Sequence, residues 1–353
     1  MIISLKEKPN SWTNFFSKIS AKYKDVFFNE NYLKGILPDL EKNDDIILFA
    51  NIDEVKNFFW FVVSIKREVP IKGLGKVFYD LETPYGYGGP LTNSNCKNFL
   101  LESNLKYFNW MLSNNIIAEF TRFNPLLNNH KYLSGQIDIV KDRSTYSIDC
   151  KKFHQNDEIN LKNFKSNVRN KIRIGIKNYI VSYESDIKNF EIFKLLYLNL
   201  MKFKKTSDNY FYSNFYFNNL YKFIKKNGFL INLFNKNNEA ISSSLFLHCD
   251  KKAYYHLSAS SHSLKKVGAI NYALYLAIKK CIKKNIETLF LGGGQIHGDS
   301  LSKFKEDMST NQYDWFIGKR IINHEIYNII KNKFIDDKNN KYLFNSKKIL
   351  FYR

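Results

Sequence analysis

The stretch from Ala253 to Gly294 reads AYYHLSASSHSLKKVGAINYALYLAIKKCIKKNIETLFLGGG, and its reading decides the fold. Ala253–Ser258 is an apolar run of strand length. A polar loop, Ser260–Gly268, follows it. Ala269–Asn285 repeats apolar residues at helical intervals. Glu287–Leu291 is strand-like again, and three glycines, Gly292, Gly293 and Gly294, end it. Strand, glycine-bearing loop, helix and strand in this order make one unit of a mixed α/β fold.

The same order recurs upstream. Val77–Leu81 is a strand, Tyr85-Gly86-Tyr87-Gly88-Gly89-Pro90 a tight loop, Asn95–Asn114 a helix and Ile116–Phe120 a strand. We read Val77–Phe120 and Ala253–Leu291 as copies of one duplicated unit. Around the second copy lie a short strand, Ile180–Tyr183, helices Asp186–Lys205 and Asn214–Asn227, and strands Phe229–Phe234 and Ala240–Cys249. Ser300–Met308 is a short helix with Asp299 as its N-cap, and Tyr313–Gly318 a closing strand. Ile46–Ala50 and Phe58–Ser64 are strands of the first half. With 353 residues, two domains are expected, drawn as 1–155 and 156–353. Each is expected to be an α+β (mixed α/β) domain, a mostly antiparallel sheet flanked by helices.

Composition excludes several classes. Thirty-one Phe and 23 Tyr argue against a disordered chain. No run approaches the ~20 apolar residues that span a bilayer. The first residues lack the apolar core of a signal peptide, so a cytoplasmic protein is expected. Cys96, Cys150, Cys249 and Cys281 form no CxxC pair and no zinc-ligand spacing, so neither a disulfide framework nor a metal is expected. The net charge of +21 suits nucleic acid, anionic lipid or phosphate-bearing small molecules. Yet the lysines recur as dispersed pairs, as a solvated surface does, and Lys, Asn, Ile, Phe and Tyr are what AT-rich codons supply. Charge alone does not separate a tRNA partner from a nucleotide.

Several side chains invite chemistry. Lys265, Lys266, Val267, Gly268 and Ala269 lead into a helix N-terminus, where unpaired amides suit a pyrophosphate. Phe164–Asn178 is helical, with Lys165, Arg169, Arg173 and Lys177 on one stripe and Phe164, Val168, Ile172 and Ile176 on the next. That basic stripe is equally a solvated face. Tyr85 and Tyr87, interleaved with glycine, suit stacking on a base or sugar. Arg122, Arg169 and Arg173 suit a diphosphate through forked hydrogen bonds. His297 and Asp299 are candidate general bases, although Asp299 is equally explained as a cap.

The element order, with Phe164-Lys165-Ser166-Asn167-Val168-Arg169-Asn170-Lys171-Ile172-Arg173, Tyr254-Tyr255-His256-Leu257-Ser258-Ala259-Ser260, Gly268-Ala269, the triple glycine and Leu301-Ser302-Lys303-Phe304-Lys305, resembles the GNAT acyltransferase fold in its tandem, Fem-like form. Tyr85–Pro90 and Glu119-Phe120-Thr121-Arg122-Phe123 resemble a branch found among N-acyltransferases of polysaccharide loci. The resemblance implies two tandem GNAT-like domains, with the acyl donor held by the C-terminal one. It implies a thioester in a gap between splayed strands, near His256–Ser258 and Leu291–Gly294, with Ser258, Gly292 and Gly293 at its edges and the acceptor between the domains. Phe304 stands where many GNAT enzymes carry a proton-donating tyrosine. Lys305 then takes the role of stabilising charge at the carbonyl or leaving group. Ile270 departs from the small residue usual in the pyrophosphate loop.

The implied activity is transfer of a short acyl group from acyl-CoA (acetyl-CoA or a short hydroxyacyl-CoA) to the amine of a dTDP- or UDP-linked amino sugar, in surface-polysaccharide (O-antigen) biosynthesis. A Fem-type transferase using aminoacyl-tRNA, acting on a cell-wall or glycan precursor, is the alternative. A catalytically silent binding scaffold is a third reading, because the tyrosine is missing.

Overall fold

A computed structural model describes residues 1–71, 73–154, 157–206, 210–264, 266–296, 298–336 and 348–352; the side chains of 157–159 are outside the description. The chain divides into two compact units. The first comprises Met1–Tyr23, Phe27–Asp142 and Asp314–Arg353, the second Lys24–Val26 and Arg143–Tyr313. The change of unit thus falls at 142/143, not at 155/156. Residues from 314 onward return to the first unit because strand Asn311–Ile321 pairs there and the following helix packs there.

The first unit opens with β1 (Ile2–Ser4), α1 (Pro9–Ser17), α2 (Glu30–Lys34), β2 (Asp45–Asp53), β3 (Phe58–Glu68), β4 (Tyr79–Glu82), β5 (Leu91–Thr92), α3 (Lys97–Ser113) and β6 (Ile116–Arg122). Its sheet runs β1-β2-β3-β4-β6, with β5 on β3. Pairing is antiparallel except for β4 with β6, where Tyr79 faces Ile116 and Glu82 faces Phe120. A parallel neighbour needs a crossover, and α3 supplies it.

The chain crosses into the second unit along β7 (Asp138–Asp149). Then come α4 (Asp157–Lys162), α5 (Ser166–Asn178), β8 (Ile180–Ser182), α6 (Ile187–Lys204), α7 (Asn214–Asn227), β9 (Gly228–Phe234), β10 (Ala240–Cys249), β11 (Lys252–Ser260), α8 (Ala269–Lys283), β12 (Thr288–Gly293) and α9 (Ser300–Met308). Its sheet runs β7-β12-β11-β10-β9-β8. Again one pair is parallel, β11 with β12, and α8 is its crossover. The repeated β4-α3-β6 and β11-α8-β12 crossovers are the duplicated unit expected from the sequence. β13 (Asn311–Ile321) and α10 (His324–Asp336) complete the first unit. Among the described residues no helix is long and apolar enough to cross a membrane.

Each unit buries its own apolar side chains. In the second, α8 is the central helix, burying Ala273, Leu274, Ala277, Ile278 and Cys281 among strand residues such as Ile148, Ile231 and Leu289. In the first, Trp60, Tyr107, Met111 and Phe123 form the core. A buried ion pair lies there: Arg320 Nε donates to Glu119 at 3.0 Å, and Tyr107 Oη donates to the other carboxylate oxygen at 2.9 Å. Removing one partner strands a buried charge. Arg320→Met is therefore expected to cost about 3–5 kcal/mol in urea unfolding, and Glu119→Gln in the same background to recover part of it.

Candidate active site

The gap arises from strand pairing. β11 and β12 are parallel neighbours only from Lys252 opposite Thr288 to Tyr254 opposite Phe290. Beyond that, each strand stays with its outer partner. β11 follows β10, with a register shift that leaves His256 as the extra residue between Tyr255 and Leu257. β12 follows β7, with a shift that leaves Leu291 extra between Phe290 and Gly292. A bulge bends a strand and re-aims its side chains. Two bulges, one on each side, accompany the parting of the pair.

The triple glycine is shaped by this exit. Gly292 sits at φ +73°, which side chains rarely adopt. A β-carbon on Gly293 would lie 2.7 Å from the Ser144 carbonyl oxygen, and one on Gly294 would overlap the Asp299 carboxylate. The close approach that demands these glycines is made by the chain's own atoms.

Asp299 caps α9 and ties down the loop before it. One carboxylate oxygen accepts from Ser302 N at 2.7 Å; the other accepts from Gln295 N at 2.7 Å and Ile296 N at 3.1 Å. Those amides hold its pKa below the usual carboxylate value. A carboxylate so occupied is a poor base. Lys305, two turns into α9, donates from Nζ to the Gly293 carbonyl at 2.6 Å. Burial pushes its pKa down to about 8, with Asp299 opposing. Lys305, Asp299, Gly293 and Gly294 are thus assembled at the exit of β12. His297 lies outside the described residues.

α8 begins at Ala269 with Gly268 as N-cap at φ +76° and no side-chain cap. Gly268 is pressed on α5, where a β-carbon would overlap the Lys171 carbonyl oxygen. The loop is pinned by Tyr179 Oη to the Val267 carbonyl at 2.9 Å and by Lys266 Nζ to the Ser261 carbonyl at 2.6 Å. Ser258 Oγ pairs with Ser244 Oγ at 3.1 Å. Lys265 is outside the described residues. An open cavity of about 610 Å³ beside this loop is lined by Ile174, Tyr179, Asn235, Ile241, Leu264 and Val267, among others. On α5, Val168, Ile172 and Gly175 are buried and Ile176 is exposed, so Gly175 against Tyr272 replaces Ile176 on the packed face. Arg173 is exposed and Arg169 half-buried.

The tyrosine–glycine segment belongs to the first unit, and its geometry is structural. Tyr87 stands edge-on between Phe27, at 5.6 Å, and Trp315, at 5.9 Å. β-carbons on Gly88 and Gly89 would meet Thr83 and Phe123 at 2.6 Å each. Only Tyr85 is largely exposed of the two tyrosines. Arg122 donates to Glu82 at 2.9 Å and to the carbonyls of Thr83 and Pro84. It clamps the chain leading into this segment.

The sequence names His256 only as an edge of the implied gap and gives it no role, because a bulge arises from pairing with β10. Its Nε2 lies 3.1 Å from Tyr216 Oη. Burial pushes its imidazole down to about 3, so at neutral pH it is an uncharged hydrogen-bonding group at the parting of the strands.

No family model matches the chain, and no curated protein matches it. Solved structures do. FemX superposes with a TM-score of 0.61 at 14% identity, covering 94% of this chain and 99% of that one. L-PGS from Bacillus licheniformis gives 0.53 at 10% identity, over 92% and 96%. A C-terminal domain assigned to a lysylphosphatidylglycerol synthetase from Agrobacterium fabrum gives 0.53 at 11%, over 94% and 98%. At such identities the likeness is one of fold. The chain has a FemX-like fold.

Proposed function

We propose that the second unit transfers an acyl group to a primary amine. The observation that carries this reading is the parting of β11 and β12, with α8 beginning beside it and the Lys305 ammonium at the exit of β12. A donor carbonyl in the gap would meet a neutral amine there. The amine forms the C–N bond, the C–S bond breaks, and the proton lost by the amine ends on the departing thiolate. Lys305 supplies the positive charge that such an oxyanion or leaving group needs. The amides at the start of α8 suit the donor's pyrophosphate. Asp299 sets the loop that carries Gly293 and so positions Lys305.

For the donor we favour acyl-CoA, acetyl-CoA or a short hydroxyacyl-CoA, approached through Lys265, Lys266, Val267, Gly268, Ala269 and Ser258. For the acceptor we favour a dTDP- or UDP-linked amino sugar of surface-polysaccharide assembly, with Arg169 and Arg173 of the second unit as its contacts. Both are cytoplasmic metabolites, so the reading carries a cytoplasmic setting. A second reading, an aminoacyl-tRNA donor, is favoured by the likeness to FemX along nearly all of that chain and by the charge of +21.

A thermal-shift panel of CoA, acetyl-CoA, UDP-sugars, dTDP-sugars and total tRNA separates them. Under the first reading CoA at about a hundred times its Kd stabilises by ~2.7 kcal/mol, a rise of a few degrees. Under the second, tRNA binds with a steep loss of affinity as salt rises. Nucleotide-sugar binding without turnover for any donor would leave only the scaffold.

A further inference from the structure

We infer that the end of the second unit where β11 and β12 part docks on the surface of an anionic lipid bilayer. Topology gathers four segments there. β9 and β11 run the same way, both antiparallel to β10, and β12 runs with β11. α7 leads directly into β9 at Gly228 and packs on it. A helix of 14 residues spans about 21 Å, and a strand of 7 about 23 Å. The start of α7 therefore lies with the far end of β9. α6 reaches the same end, since Phe203 stacks on His262, just past β11, with centroids 4.6 Å apart and planes 4° from parallel.

Each segment turns an apolar side chain outward. Phe203 on α6 is 64% exposed, Phe215 on α7 50%, Val267 before α8 46% and Ile296 before α9 70%. Single exposed apolar residues are ordinary. Four from separate segments at one end of one unit are more than scatter, and exposed apolar surface of this kind marks an interaction site. Lysines accompany them: Lys202 and Lys205 flank Phe203, and Lys266 precedes Val267, all exposed. Phenylalanine and aliphatic side chains among lysines are what the headgroup boundary of an anionic membrane takes up. RNA would use the cations and stack on the rings, but Val267 and Ile296 offer it nothing. The docking surface shares Lys266 and Val267 with the proposed donor approach, and its test reads vesicle binding alone.

The test is sedimentation of the full chain with phosphatidylcholine vesicles, with and without phosphatidylglycerol. Binding is expected only with phosphatidylglycerol. Phe203→Ser and Ile296→Ser should each weaken it roughly tenfold, and Lys202→Gln with Lys205→Gln should weaken it and lessen its salt dependence. All four side chains are exposed, so the melting temperature should stay near the parent's. No binding to phosphatidylglycerol vesicles would overturn the inference. So would serine variants that bind vesicles as the parent does, or that lose tRNA binding instead.

Discussion

Lys305→Met is expected to lower the rate of acyl transfer by roughly 10²–10³-fold, with the fold intact. In the proposed role Lys305 acts in its protonated form, and burial has brought its pKa to about 8. The parent's rate should therefore fall as pH rises through about 8. The residual rate of the variant should lack that limb. Stability moves the other way. The folded pKa lies below the ordinary 10.5, so between these values the unfolded chain binds more protons. Stability then rises with pH across that window. Its full extent is up to about 3 kcal/mol. Methionine abolishes this titration, so the variant's unfolding free energy should lose that part of the rise. A variant that keeps both the alkaline limb and the slope would remove Lys305 from the chemistry.

Gly268→Ala should unfold the protein more readily by roughly 3–5 kcal/mol, read as a fall in the urea midpoint. The added β-carbon meets the Lys171 carbonyl, which is α5 backbone and does not swing aside, and φ is +76°. Donor binding would fall as well, but through the packing of α5 on α8. Lys266→Ala, at an exposed position, is the variant that reports on the donor with little change in stability. If Gly268→Ala leaves the midpoint unmoved, the contact between α5 and α8 is looser than the structure has it.

Where periodicity was clean, sequence and structure agree: β11, α8 and β12 lie where the apolar pattern puts them, and Asp299 caps α9 as its position implies. β7 escaped because its buried residues, Ile148 apart, are hydroxylic. Thr145 Oγ1 bonds the Tyr313 carbonyl at 3.3 Å, and Ser147 Oγ bonds Tyr313 Oη at 3.4 Å. Such residues are buried only with partners, and partners distant in sequence leave no trace in a local pattern. α3 lies where the apolar pattern puts a helix, with Phe99 and Met111 buried, yet Leu105 and Leu112 face solvent while Ser103, Asn104 and Tyr107 are buried. Gly228 ends α7 in an extended conformation, kept small by the Phe246 carbonyl 2.6 Å from where a β-carbon would sit. In the site, glycine positions were legible and their cause was not. The paired state of Arg122 and the packed state of Tyr87 depend on Glu82, Phe27 and Trp315. No spacing rule links those residues.

The segment Lys24–Val26 belongs to the second unit although 116 residues of the first follow it before Arg143. Asp25, fully buried, accepts from Tyr254 Oη and pairs with Lys252 Nζ at 3.2 Å. The two ends of the first bond are 229 positions apart. A ribosome releases Asp25 long before it makes Tyr254, so this carboxylate waits through most of synthesis for its partner. A fragment started at Arg143 would lack that anion and bury Lys252 and Tyr254 beside an empty place, so the second unit cannot be cut out as one contiguous piece.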